Sequence, residues 1–171
     1  MSCDEWTLKN GDGPPQTVLL PGWGTDGRIF DRLDVPGPHL IANCPQPEGL
    51  FERLSSLDAP PVRLVGWSLG GFRAVRFAAR HPKRVKGIIL AGVRQSYPPD
   101  EVETMMEELD RSPRDCLRSF YRRCFLPAQK RDYRWFRGEL MSEYLKDPPL
   151  GRLRRGLEFL RHTELTAADL P

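Results

Sequence analysis

Residues 64 to 71 read LVGWSLGG, a serine set between glycines directly after an apolar run. The stretch Gly66-Trp67-Ser68-Leu69-Gly70 fits the pattern G-x-S-x-G, which places a nucleophilic hydroxyl on a sharp strand-to-helix turn. A strained backbone at the serine exposes its Oγ, and glycines two before and two after let strand and helix approach closely. The N–H of Leu69 then lies at a helix N-terminus, oriented to donate to a developing oxyanion. A structural glycine turn that happens to carry a hydroxyl is the competing reading, and the flanking elements decide between them.

Those elements have the required order. Val18-Leu19-Leu20 predicts a buried strand running into a Pro-Gly turn, and Leu40 to Ala42 a second strand. Between them, Thr25 or Asp26 caps a short helix with Ile29, Phe30 and Leu33 on one side. Leu50, Phe51, Leu54 and Leu57 have the spacing of an amphipathic helix. Val62 to Val65 predicts the strand before Ser68, and a helix follows from Gly70 to the stop at Pro82. In that helix Phe72, Val75, Ala78 and Ala79 make the apolar face, and Arg73, Arg76 and Arg80 face solvent. "RVKGIILAGV" reads as a further buried strand. Alternating strands and helices imply a parallel sheet. From Pro98 to Leu165 four helical patterns and no strand follow, which predicts an inserted cap. The organisation expected is therefore a core over 1–96, a helical lid over 97–165 and a return to the core over 166–171.

Composition narrows the function classes. A chain of 171 residues with 29% charged and 39% hydrophobic residues reads as one soluble domain. No apolar stretch reaches the roughly 20 residues of a membrane span. "MSCDEWTLKNGDG" lacks the basic-then-apolar pattern of a secretory signal, so the cytoplasm is the expected compartment. Cys3, Cys44, Cys116 and Cys124 show no metal-ligand spacing, so free thiols and neither metal nor cofactor are expected. A net charge of +3 does not argue for nucleic acid, but its distribution is uneven. From Arg111 to Arg161 there are fourteen Lys/Arg against six Asp/Glu, a local excess of eight positive charges.

Together "VLLPGWG", "LVGWSLGGFRAVRFAARHP" and "VKGIILAG" resemble the α/β-hydrolase superfamily over essentially the whole chain. The Gly-Trp-Gly loop, the elbow and "GLEFL" near residue 158 are similar to the esterases that demethylate pimeloyl-acyl-carrier-protein methyl ester in biotin synthesis. The resemblance implies Ser68 as nucleophile, the backbone N–H groups of Trp23 and Leu69 as oxyanion donors, and the Trp23 indole as a wall of the acyl pocket; a core aromatic beside a Pro-Gly turn is the competing reading of Trp23. That family's loop commonly opens with His-Gly, where this chain has Pro21-Gly22. It further implies an acidic acyl-carrier protein as partner, met by lid arginines; Arg131, Arg134 and Arg137 share helical spacing and are the candidates. A solvated basic face accounts for any single one of them equally well. Phe120, Phe125, Trp135 and Phe136 either line an acyl channel or pack helices together.

A base is harder to place. His81 stands thirteen residues along the helix from Ser68, about 20 Å away. His39 opens a strand at the far end of the sheet, and His162 closes the last helix. The superfamily's Ser, then Asp, then His order places the missing pair beyond Pro171, so a partial, weakly active chain is expected. A general carboxylesterase or thioesterase, and an inactive hydrolase-derived module that binds an acidic partner, are the competing functions.

Overall fold

The computed structural model describes residues 6–44 and 49–166. Cys3 and residues 167–171 of the expected return to the core lie outside this range. The chain divides into two compact units, one from the described residues of Met1–Ser96 and Thr163–Pro171, the other Tyr97–His162.

The first unit is built on a five-stranded sheet: β1 (Trp6–Lys9), β2 (Thr17–Leu20), β3 (His39–Ala42), β4 (Val62–Trp67) and β5 (Val85–Ala91), in the order β1-β3-β2-β4-β5. β2, β3, β4 and β5 run parallel, with Val18 opposite Leu64 and Trp67 opposite Ala91. The sheet is mixed rather than parallel, because β1 joins antiparallel to β3. An antiparallel edge strand needs no helical crossover. Its four residues, with only Trp6 and Leu8 alternating against Thr7 and Lys9, give too short a pattern to read as a strand.

Helices α1 (Leu50–Ser56) and α2 (Leu69–Arg80) supply the cover. Val18, Leu20, Leu40, Val62 and Leu64 share one buried cluster with Leu54 of α1 and Ala74 and Ala78 of α2. Leu19 and Ile41 point the other way, into a cluster with Phe30. Both faces of β2 and β3 are thus buried, which is why Val18-Leu19-Leu20 and Leu40-Ile41-Ala42 read as unbroken apolar runs; β4 alternates, with Arg63 exposed and Val65 and Trp67 half-buried.

Three local expectations change. The segment after Asp26 is a single 3-10 turn (Gly27–Phe30), capped where the Arg28 N–H donates to Asp26 Oδ1 at 3.0 Å; Leu33 falls outside it and is exposed. On α2 the stripe facing the sheet is Gly71, Ala74, Val75 and Ala78 with Phe72. Ala79, one residue and about 100° beyond Ala78, is exposed, whereas Arg73 is half-buried. β5 is not a buried strand: Ile89 is 51% and Leu90 38% exposed, and among the described residues β5 pairs only with β4. An apolar run reports a surface suited to burial; which surface covers it is set by other elements.

The second unit consists of α3 (Pro99–Arg111), α4 (Pro113–Arg123), α5 (Lys130–Phe136), α6 (Ser142–Lys146) and α7 (Leu150–Arg161). α5 and α6 are one helical run interrupted by a π-turn at Arg137–Met141. Prolines open α3 and α4, where a missing N–H costs nothing. Inside, Leu109, Leu117, Tyr121, Phe136, Leu153 and Leu157 are buried. The two chain passages leading to this unit run side by side in the first. There the Leu165 N–H donates to the Gln95 carbonyl at 2.8 Å, and Gln95 Nε2 donates to Glu164 Oε1 at 3.1 Å.

An exposed apolar edge strand is a template for pairing with another chain. Ile89→Lys is expected to raise the concentration at which light scattering detects self-association, while changing unfolding free energy by less than about 0.5 kcal/mol. Unchanged self-association would clear the β5 edge of that role.

Candidate active site

Ser68 occupies the single residue between β4 and α2, with φ 51° and ψ −119°. A side-chain-bearing residue in this region is strained, at a cost of about 1–3 kcal/mol that the surroundings must hold in place. They do so from both sides. The Ser68 N–H donates to the Ala91 carbonyl at 2.8 Å, tying the turn to the end of β5. Its own carbonyl accepts from the N–H of Gly71 at 2.8 Å and of Phe72 at 3.4 Å, which starts α2. Leu69 is fully buried and opens the helix, so its N–H belongs to the first turn, where the helix supplies no acceptor.

The glycines act through what they omit. A Cβ on Gly66 would stand 2.5 Å from the Gly71 Cα, and one on Gly70 would stand 2.1 Å from the Leu20 carbonyl oxygen. A Cβ on Gly71 would meet Val93 Cγ2 at 2.3 Å. β4, α2 and the end of β2 therefore touch backbone to backbone around Ser68, and the Val93 side chain after β5 closes on Gly71. The contact at Gly70 also locates the loop after β2, since Leu20 and Pro21 lead directly into Gly22, Trp23 and Gly24.

That loop is a tight turn. Thr25 Oγ1 and the Thr25 N–H donate to the Gly22 carbonyl at 2.9 and 3.3 Å, and Gly24 takes φ +72°. A positive φ at the third turn position calls for glycine. Gly22 lies against the Trp67 ring, where a Cβ would come within 2.7 Å. On its other side Trp67 meets Gly92, also at positive φ. Trp67 thus spaces the loops after β2 and β5 around the elbow. The sequence reading treated Trp67 only as the x of the motif and overlooked Gly92 and Val93; the Ala-Gly-Val after the β5 run was the available signal. Trp23 itself is 2% exposed, its indole packed inside the unit.

Neither histidine of this unit reaches Ser68. His39 starts β3 opposite Thr17, at the end of the sheet away from the elbow, with Nδ1 3.1 Å from the Gly37 carbonyl oxygen. His81 caps the far end of α2, stacked on Phe51 at 4.7 Å and beside Phe77 at 4.8 Å. In the helical unit, His162 closes α7 with Nε2 3.4 Å from Glu158 Oε2. Arg131, Arg134 and Arg137 are exposed on the α5 run, and Phe136 is buried among Tyr121, Phe125 and Tyr144. Burial pushes the thiols of Cys116 and Cys124 each up to about 11, which keeps both protonated and unreactive at neutral pH. Among the described residues, no group of three or more His, Cys, Asp or Glu is placed to hold a metal ion.

Ser68→Gly relieves the positive-φ strain and is expected to raise unfolding free energy by about 1 kcal/mol. Gly70→Ala drives a methyl into the Leu20 carbonyl and is expected to lower it by about 2–4 kcal/mol. Urea titration of both variants checks the pair; a neutral Gly70→Ala would mean that the β2 end is not fixed against the elbow.

The sequence profile of the alpha/beta hydrolase fold matches residues 52–140, from α1 through the elbow into the α5 run. A pimeloyl-[acyl-carrier protein] methyl ester esterase of Chromobacterium violaceum is 29% identical over 159 residues, covering 77% of this chain and 62% of that protein. The protein of the same name from Klebsiella pneumoniae is 26% identical over 193 residues, 96% of this chain and 74% of its own length. Among solved structures, an esterase from Exiguobacterium antarcticum superposes with TM-score 0.72 at 18% identity, over 94% of this chain and 70% of its own. The chain thus spans less than two thirds of the first relative's length. With the profile matched over more than half of the chain, and over the elbow itself, the protein belongs to the alpha/beta hydrolase fold family.

Proposed function

We propose that this chain carries the nucleophile-bearing part of a serine carboxylesterase whose substrate is a methyl ester on an acyl-carrier protein. The observation that carries the proposal is the conformation of Ser68, held at φ 51° between β4 and α2 by glycines that admit no side chain. In the nucleophile elbow this conformation projects the serine Oγ away from the turn. The esterase-named relatives support ester hydrolysis, and the carrier-protein methyl ester comes from their names.

In the proposed reaction Ser68 Oγ attacks the ester carbonyl carbon while its proton passes to a general base. The carbonyl π pair moves onto oxygen, and the oxyanion accepts hydrogen bonds from the backbone N–H groups of Trp23 and Leu69. Collapse re-forms the carbonyl and breaks the C–OCH3 bond; the departing methoxide oxygen takes the proton back from the base and leaves as methanol, and an acyl-serine remains. Water then adds to the acyl carbon, loses its proton to the base, and frees Ser68 and the acid. Since His39 and His81 are out of reach, the base lies outside the described residues of the core unit. Arg131, Arg134 and Arg137 are proposed to attract the acidic carrier protein, and the cytoplasm is the proposed compartment.

The excess of positive charge from Arg111 to Arg161 favours one second reading, a hydrolase-derived module that binds an acidic partner without turnover. A fluorophosphonate probe separates the two. In a form extended beyond Pro171 to the length of its relatives, labelling is expected to map to Ser68 and to vanish in Ser68→Ala; absence of label at Ser68 in that form too overturns the esterase reading. Without a base in reach, hydrolysis of p-nitrophenyl acetate by the 171-residue chain is expected to stay within about 10³–10⁴-fold of the uncatalysed rate. Fast turnover abolished by Ser68→Ala would show that a base is in reach after all.

A further inference from the structure

The link between α4 and α5 is six residues long and holds one large apolar side chain outward. Leu126 is 70% exposed, the highest value among the large hydrophobic residues described. Everything around it is fastened. Cys124 caps α4, its N–H donating to the carbonyls of Phe120 and Tyr121 at 3.2 Å. Phe125 turns inward, with ring centroids 5.3 Å from both Tyr133 and Phe136. Leu126 and Gln129 are bound reciprocally: the Leu126 N–H donates to Gln129 Oε1 at 2.8 Å, and the Gln129 N–H to the Leu126 carbonyl at 2.9 Å. Pro127 fixes the backbone between them. A leucine presented this way has little ordering entropy left to lose on binding.

Its surroundings are cationic. Arg122 and Arg123 end α4, Lys130 and Arg131 begin α5, and Arg134 follows one turn later, all exposed. Asp132 is the one acid in the stretch 119–137. Arg122 and Arg123 suit a helix C-terminus, but Lys130 and Arg131 oppose the dipole at the start of α5. Helix stability therefore does not account for them.

We propose that the Cys124–Gln129 turn is a preformed docking knob for an acidic protein, Leu126 entering an apolar notch while the ring of Arg and Lys meets the partner's carboxylates. The partner class rests on the function proposed above. A rigid apolar anchor within a charged rim is the arrangement that concentrates binding energy at protein interfaces. A membrane surface engages several anchors along one amphipathic face, whereas the neighbouring Phe125 is folded inward. Single-stranded nucleic acid uses aromatic platforms, and the aromatic rings here pack on one another.

Fluorescence anisotropy of labelled acyl-carrier protein titrated with the 171-residue chain at low ionic strength tests the proposal. Leu126→Ala is expected to weaken binding about tenfold with an unchanged melting temperature, because the side chain supports nothing. Gln129→Ala keeps the leucine, frees the turn, and is expected to weaken binding less. Lys130→Glu with Arg131→Glu is expected to weaken it and to flatten its salt dependence. Equal affinity of Leu126→Ala and the parent chain overturns the proposal. So does binding of the parent chain to phosphatidylglycerol vesicles or DNA but not to the carrier protein. Fluorophosphonate labelling of each variant keeps the two proposals apart, since a failed Ser68 reading appears there and a failed docking reading only in the anisotropy.

Discussion

The core unit depends on backbone contacts that a single methyl group would block. Gly66 against Gly71, Gly70 against the Leu20 carbonyl, and Gly71 against Val93 bring β4, α2 and the ends of β2 and β5 to one point. Hydrogen bonds at Ser68 and the burial of Leu69 then fix the turn. Protein interiors do not yield to an atom inserted at about 2 Å from a backbone oxygen. The same omission of Cβ atoms lets the strand pass into the helix within one residue, with Ser68 at φ 51°. Packing and chemistry at this site are therefore one constraint seen twice.

Around that point the sheet distributes its burial unevenly. β2 and β3 are covered on both faces, by the cluster shared with α1 and α2 on one and by the Phe30 cluster on the other, whereas β4 is fully buried on one face only. β5 has the composition of a central strand and the exposure of an edge. The helical unit follows a different logic. Its interior is aromatic and aliphatic, centred on Tyr121 and Phe136, and its surface carries the positive charge. Phe136, read from sequence as lining an acyl channel or packing helices, is a core residue that packs on the rings of Tyr121, Phe125 and Tyr144. Leu126, which composition alone marks as one more apolar residue, is held on the outside by hydrogen bonds that hold the turn closed.

Much of the architecture was legible because the signals were local. Continuous apolar runs marked β2, β4 and β5, prolines marked the starts of α3 and α4, and the spacing of Leu50 and Leu54 marked α1. The elbow was legible for the same reason: its glycines and serine are adjacent in the chain. β1 escaped because four residues carry too little periodicity, and its antiparallel direction is set by pairing with β3, 30 residues away. Leu33 and Ala79 were misplaced because helix length and face are settled by what a helix packs against.

By itself the sequence determined the order of strands and helices, the glycine positions at the elbow, and the excess of positive charge beyond residue 111. Those are properties of neighbours along the chain, and local sterics and hydrophobic periodicity suffice to specify them. Only the tertiary structure decided that the β2 loop and the residues after β5 close around Trp67, and that α2 leaves Ala79 exposed and Arg73 half-buried. Each of these depends on contacts between segments distant in sequence, where the balance of burial and backbone pairing over the whole unit overrides local preference.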